Sequence, residues 1–300
     1  MTKAQGPRRK FQARAIRSLG FGYSLVIGPW ALVIGPWALV ILSASISPGA
    51  PRQTVDRAEI IAHRGASHDA PENTLASIQL GWKQDADAVE IDVQFSKDGH
   101  IVVIHDDNTR KTAGVRKKVS EQTLAELKAL EVGRWKDAKW AGERIPTFGE
   151  ALGAIPDGKR MFIEIKCGAE CIPKFVEDFR RSGRKPAQVV PIGFSLETMR
   201  RLKKALPELE VCWIAEFKRT LRGWSPTAER LIQQAKEAGL DGLDVSAKGP
   251  VDSVFTRKVH GAGLKLYIWT VDSPAKGKAL SVAGVDGLTT NRPEWLRARL

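Results

Sequence analysis

Three cysteines in 300 residues are too few for a disulfide framework. Glycine, at 27 residues, is too sparse for a collagen, and 43% apolar content is too much for a disordered chain. A mean hydropathy of −0.23 excludes a polytopic membrane protein. Acidic residues are also short: 34 Asp and Glu face 47 Lys and Arg, leaving a net charge of +13. Such an excess usually neutralises phosphate, so its distribution matters. Residues 1–58 hold eight basic side chains against Asp56 alone, a net +7, and the other 242 residues hold 39 basic and 33 acidic, a net +6. The body is thus mildly basic with both signs interspersed. It lacks the basic-plus-aromatic clustering of a single-strand binder, so no nucleic-acid partner is expected.

No charged side chain occurs between Ser18 and Pro51, and Leu25–Leu42 is almost wholly apolar. As a helix, that stretch would cover ~27 Å of hydrocarbon. Six preceding positive charges, ending at Arg17, predict a cytoplasmic N-terminus and an exported body. Two fates stay open: a retained membrane anchor, or a signal cut near Ser43-Ala44-Ser45. The body is accordingly expected outside the cytoplasm, either anchored or secreted to the periplasm or medium. Arg8-Arg9-Lys10-Phe11 resembles a twin-arginine export signal in its Arg-Arg-x-Phe core only. The tandem Leu25–Ala31 and Leu32–Ala38 copies are too short for a solenoid and read as a duplication that lengthened the apolar stretch.

From Glu59 onward, β-branched runs alternate with amphipathic segments, the mark of a parallel sheet covered by helices. Strands are predicted near Glu59–His63, Ala88–Gln94, Met161–Ile165, Val189–Phe194, Val211–Ala215, Gly242–Val245, Lys265–Thr270 and Gly287–Thr290. Eight strand–helix units in some 240 residues fit a (β/α)8 TIM barrel, an α/β fold, over residues 59–300. A doubly wound sheet is disfavoured because no Gly-x-Gly-x-x-Gly follows the first strand. Residues 95–145 break the count. There, an Asp98-Gly99 turn and a returning Ile101–His105 run predict a hairpin above the barrel rim, within an inserted lid or substrate-selecting wall.

Catalytic groups of such a barrel belong at the C-terminal strand ends. The first predicted strand ends in His63-Arg64-Gly65, the second carries Glu90-Ile91-Asp92, and the third ends in Glu164-Ile165-Lys166. The i, i+2 spacing turns both members of each pair to one face. Three carboxylates in one barrel mouth repel one another, and a divalent cation is the natural compensation. All-oxygen ligands favour Ca²⁺ or Mg²⁺ over zinc. Each of these carboxylates taken alone would read as a surface charge; three on neighbouring strand ends beside His63 and His105 read as a site. The two histidines suit general acid–base chemistry, and Arg64 and Lys166 suit an anionic substrate. His68, His100 and His260 are read as structural.

Together, His63-Arg64-Gly65, Pro71-Glu72-Asn73-Thr74, Glu90-Ile91-Asp92-Val93, Asp98-Gly99, His105-Asp106, Glu164-Ile165-Lys166 and Trp269-Thr270-Val271 resemble the glycerophosphodiester phosphodiesterase family, from about Ile60 to Pro293. The resemblance implies a (β/α)8 barrel with an insertion, related to the phosphatidylinositol-phospholipase-C-like barrels. It also implies hydrolysis of a small glycerophosphodiester to glycerol 3-phosphate and an alcohol. By position it makes Glu90, Asp92 and Glu164 the metal ligands, His63 and His105 the acid–base pair, and Arg64 and Lys166 the phosphate-facing cations. Phe194 and Trp269 match apolar lining groups, and Glu72 and Asn73 a bracing loop. The chain departs from the pattern at Gly193-Phe194-Ser195, where Ser-Phe-Asp is commoner, and at Asn291, where the family often has Asp. These departures bear on substrate selection and on how the last strand is braced. The head-group alcohol and the oligomeric state stay open, as does a Cys167–Cys171 bridge against free thiols. Alternative functions are a phospholipase D-like enzyme acting on lysophospholipids at the membrane and a non-catalytic phosphopolyol-binding barrel.

Overall fold

The computed structural model describes residues 57–300, Arg222 excepted, so the expectations for the N-terminal leader fall on residues outside those described. Eleven strands run in chain order: β1 (Glu59–Ala62), β2 (Ala88–Phe95), β3 (Ile101–Val103), β4 (Arg160–Ile165), β5 (Val189–Gly193), β6 (Cys212–Ala215), β7 (Lys218–Thr220), β8 (Gly223–Ser225), β9 (Gly242–Ser246), β10 (Lys265–Trp269) and β11 (Gly287–Thr290). Eight of them, all but β3, β7 and β8, pair in parallel around a closed ring, β1 bonding to both β2 and β11. Closure leaves these strands no free edge and buries both faces, which is why they read as apolar runs rather than alternating ones.

Helices on the outer face turn apolar stripes to the barrel. Phe175 and Phe179 of Ile172–Ser182 are buried there, as are Met199 and Leu202 of Leu196–Ala205. Their starts are fixed by side-chain caps: Thr74, Thr123 and Thr147 each close a reciprocal box with Ser77, Glu126 and Glu150. The barrel interior is layered. At its N-terminal end Arg160 bonds Glu59 at 3.0 Å and Glu210 at 2.9 Å, while the Tyr267 hydroxyl donates to Glu210 at 2.6 Å. Above this polar plug lies an apolar floor of Ile61, Ala88, Phe162, Val190, Cys212 and Tyr267. The layer above that faces the C-terminal mouth and carries the polar residues.

β3 returns antiparallel to β2 after the Asp98-Gly99 turn, as the sequence predicts, and delivers His105 to the rim. The rest of the insertion packs on its own small core, including Val102, Val119, Leu127 and Ile145. It is stitched to the loop after β1 by Lys136, which donates to the Ser67 carbonyl at 2.8 Å, and by Trp140, which donates to that of Asp69 at 3.2 Å. The β7–β8 ribbon has no counterpart in the sequence prediction. Its residues lie exposed save the half-buried Trp224, so no buried face imposes an alternation to read. Cys167, Cys171 and Cys212 carry free thiols, and no helix among the described residues is long and apolar enough to cross a membrane.

Candidate active site

A cavity of about 280 Å³ opens at the C-terminal mouth of the barrel. Three neighbouring strands, β1, β2 and β4, bring His63, Arg64, Glu90, Glu164 and Lys166 to it, β11 adds Thr289 and the hairpin adds His105. Ligand oxygens of Glu90, Asp92 and Glu164 lie within 4.8 Å of one another. The i, i+2 spacing places Glu90 and Asp92 on one face, and β2 and β4 align Asp92 with Glu164 in register.

The loop after β1 braces this cluster. Asn73 donates through Nδ2 to Asp92 Oδ2 at 2.8 Å and accepts the Asp92 amide at 3.0 Å. The Arg64 amide donates to Glu90 Oε2 at 2.8 Å, and its guanidinium donates to Glu72 at 3.0 Å. These contacts require a tight reversal. Arg64, Gly65 and Asn73 all adopt positive φ, of 55°, 77° and 58°, and a Cβ on Gly65 would stand 2.4 Å from the Ser77 backbone.

Burial and repulsion from Asp92 and Glu164 push Glu90 well above the usual carboxylate range. Burial, with Asp92 close by, raises Glu164 to about 7. Asp92, although buried, is held low by Arg64 and Lys166. Lys166 stands 2.7 Å from Glu164 and 3.3 Å from Asp92 Oδ1, yet that Oδ1 is buried without a hydrogen bond. An orphaned oxygen beside two carboxyls that resist ionisation is a donor set suited to a hard divalent cation.

The two histidines are held differently. His63 Nδ1 meets Asn291 Oδ1 at 2.7 Å, and Asn291 in turn donates through Nδ2 to Asp272. Because Asp272 takes the amide hydrogens, Asn291 presents its oxygen, so His63 carries its proton on Nδ1 and leaves Nε2 as an acceptor. Burial and the Arg64 charge push the His63 pKa down, which keeps the ring neutral. His105 Nδ1 lies 2.6 Å from the carboxylate of Asp106, which orients the ring.

The opposite half of the mouth, from β5, β6, β9 and β10, contributes Phe194, Glu216, Asp244 and Trp269 with Ile192 and Ile214. Phe194 and Trp269 meet edge to face at 5.8 Å. Asp244, Glu216, Asp272 and the His63 contact of Asn291 escaped the sequence reading. Asp244 alternates in phase with Gly242 and Ser246 along β9, and that interior parity is the signal that could have found it. His68, His100 and His260 do not line the cavity, and His260 pairs with Asp286 at 2.7 Å.

A (β/α)8 barrel with carboxylates, histidines and cations converging at its C-terminal mouth defines a barrel hydrolase of phosphate esters. Residues 63–295 match the model of the glycerophosphoryl diester phosphodiesterase family. A glycerophosphodiester phosphodiesterase of Caldanaerobacter subterraneus is 33% identical over 249 residues, spanning 79% of this chain and 95% of its own. The solved structure of an Oleispira antarctica phosphodiesterase in complex with the product sn-glycerol-3-phosphate superposes with a TM-score of 0.73. It is 28% identical and covers 81% of this chain and 96% of its own. A Silicibacter pomeroyi structure, at 24% identity and a TM-score of 0.71 over 81% of this chain and 93% of its own, shares the fold. The chain belongs to the glycerophosphoryl diester phosphodiesterase family and is a phosphodiester-hydrolysing enzyme.

Proposed function

We propose that the protein hydrolyses glycerophosphodiesters to glycerol 3-phosphate and an alcohol, with a divalent cation, Ca²⁺ or Mg²⁺, held by Glu90, Asp92 and Glu164. The observation that carries this reading is the convergence of those three carboxylates within 4.8 Å, beside two histidines and two cations in one cavity. A bound cation would neutralise the triad and polarise the phosphoryl oxygens. Arg64 and Lys166 orient the phosphate and balance its equatorial charge. His63, neutral and with Nε2 free, takes a proton from the attacking oxygen, which is that of water in the net reaction. His105, anchored through Nδ1 by Asp106, gives a proton to the departing alkoxide as the P–O bond to the alcohol breaks. Phe194 and Trp269 wall the site with apolar surface.

The test is release of glycerol 3-phosphate from glycerophosphocholine by the purified chain, with EDTA and with Ca²⁺ or Mg²⁺ restored. His63→Ala and His105→Ala should each lose activity on the order of 10²–10⁴-fold while still binding metal. Wild-type turnover in both variants, or turnover indifferent to EDTA, would reject the mechanism. We also propose that the leader exports the barrel and either anchors or releases it; cell fractionation, with intact mass of the mature chain, decides between these.

A further inference from the structure

The two halves of the mouth differ in where their basic side chains lie. Every Lys, Arg and His that lines the cavity comes from β11, β1, β2 and β4 or from the hairpin beside them. The facing half, from β5, β6, β9 and β10, presents two carboxyl groups, Asp244 and Glu216, two aromatic rings and two isoleucines, with no basic side chain among its lining residues. Asp244 is the unusual member. It is only 2% exposed, and its Oδ1 is buried without a hydrogen-bond partner. Among the described residues no donor reaches it, and no cation is placed to pair with it. A buried carboxyl with nothing to bond costs stability, of the kind that persists where a ligand supplies the missing partner. Burial and the nearby Glu164 also push its pKa well up, as expected where no positive charge has yet arrived.

We infer that Asp244 and Glu216, with the Phe194–Trp269 ring pair, form a subsite for a positively charged alcohol moiety, so that the enzyme selects diesters of amino alcohols over those of neutral polyols. An ammonium group placed there would meet a carboxylate in a low-dielectric pocket and an aromatic face, while the phosphate lies on the opposite half beside Arg64 and Lys166. Both ends of one zwitterionic diester would then be matched by a single cavity. The inference rests on the phosphodiesterase reading and adds to it the class of alcohol.

The measurement is kcat/KM of the full chain for glycerophosphoethanolamine and glycerophosphocholine against glycerophosphoglycerol, at fixed pH and saturating Mg²⁺ or Ca²⁺. The wild type should favour the cationic pair by about tenfold or more. Asp244→Asn, which keeps shape and removes charge, should bring that ratio close to one. Glu216→Gln, on an exposed side chain that folding does not require, should lower it by a smaller factor. Equal rates on all three diesters by the wild type, or a ratio that neither substitution moves, would overturn the subsite while leaving hydrolysis intact. Calorimetric binding of the same diesters to the His63→Ala, His105→Ala double variant gives the ratio independently of turnover. A chain that hydrolyses none of them but still binds the cationic diesters more tightly would refute the enzymatic reading and keep the subsite; equal binding would remove the subsite as well.

Discussion

His63 Nδ1 and Asn291 Oδ1 lie 2.7 Å apart, and this contact sets which nitrogen of the histidine faces the cavity. Asn291 is one of two places where the chain leaves the family pattern, which commonly has Asp there. The amide fixes the tautomer without adding charge; its hydrogen bond pulls the His63 pKa up, but burial and Arg64 outweigh it and leave the value below the ordinary one. A base must be neutral to act, so activity should fall on the acid side only as pH drops through that lowered pKa. Asn291→Asp places a carboxylate against the ring, favours the imidazolium and should move the acid limb of kcat/KM upward by about one pH unit. A pH–rate profile of both proteins checks this, and an unmoved limb would mean that Asn291 does not govern His63.

Metal should govern stability as well as rate. Glu164 is raised to about 7 and Glu90 well above its usual range, so between the ordinary carboxylate pKa and these values the folded, metal-free protein binds more protons than the unfolded chain. Stability from those groups is present at low pH and is lost as pH rises through their folded pKa values. Asp92, which is lowered, works in the opposite sense. In EDTA these two groups should therefore make the melting temperature decline from about pH 5 towards pH 7 and above, a window in which Asp92 is ionised in both states and adds no slope. Saturating Mg²⁺ or Ca²⁺ should restore about 5 °C or more at pH 8 and little at pH 5. Differential scanning fluorimetry across pH, with and without metal, would show it.

Asn73 grips Asp92 by both its donor and its acceptor, and so braces one carboxylate of the proposed cation site. Asn73→Ala should weaken metal affinity by about 10–100-fold and cost about 1–3 kcal/mol of stability. Titration of Mn²⁺ or Ca²⁺ by calorimetry separates this from a direct catalytic loss: activity should recover at high metal concentration.

Much of this was legible in the sequence, and the reasons are local. The eight strands and the hairpin at Asp98-Gly99 announce themselves through β-branched runs and turn residues, and Glu90/Asp92 and Glu164/Lys166 through spacing that fixes their common face. Glu72 and Asn73 were placed by resemblance alone; their grip on Arg64 and Asp92 depends on a reversal at positive φ. Asn291 reaches His63 across 228 residues, and only barrel closure, β11 onto β1, makes them neighbours. Asp244 looks like any strand acid until the other strands show that, among the described residues, its Oδ1 has no partner. The exposed β7–β8 ribbon has no hydrophobic pattern to betray it.

The reversal after β1 depends on Gly65, where φ is 77° and a Cβ would meet the Ser77 carbonyl group at 2.4–2.5 Å. Backbone atoms cannot swing aside as a side-chain tip can. Gly65→Ala should thus cost about 2 kcal/mol or more and displace both the Arg64 amide from Glu90 and the helix that starts at Leu75. Denaturant melts and metal titration should worsen together; a normal melt with normal metal binding would show the loop to be more compliant than its contacts suggest.

The plug at the other end of the barrel provides the opposite case. Arg160 there joins Glu59 and Glu210, and the Tyr267 hydroxyl shares Glu210, all on the far side of the apolar floor from His63. Arg160→Met removes the cation and leaves two partly buried carboxylates facing each other. Burial already raises Glu59, and Glu210 is among the charges that raise it further; losing Arg160 removes the influence that holds it down. With Arg160 about one-fifth exposed, water screens part of the loss, so a penalty of about 1–3 kcal/mol is expected, below that of a fully buried pair. It should grow with pH as Glu59, raised by burial, ionises. In a barrel whose chemistry sits at one end, kcat/KM of the protein that remains folded should be unchanged. A large loss of kcat/KM at a temperature well below the melt would mean that the floor transmits strain to the mouth, and that stability and catalysis are not segregated along the barrel axis.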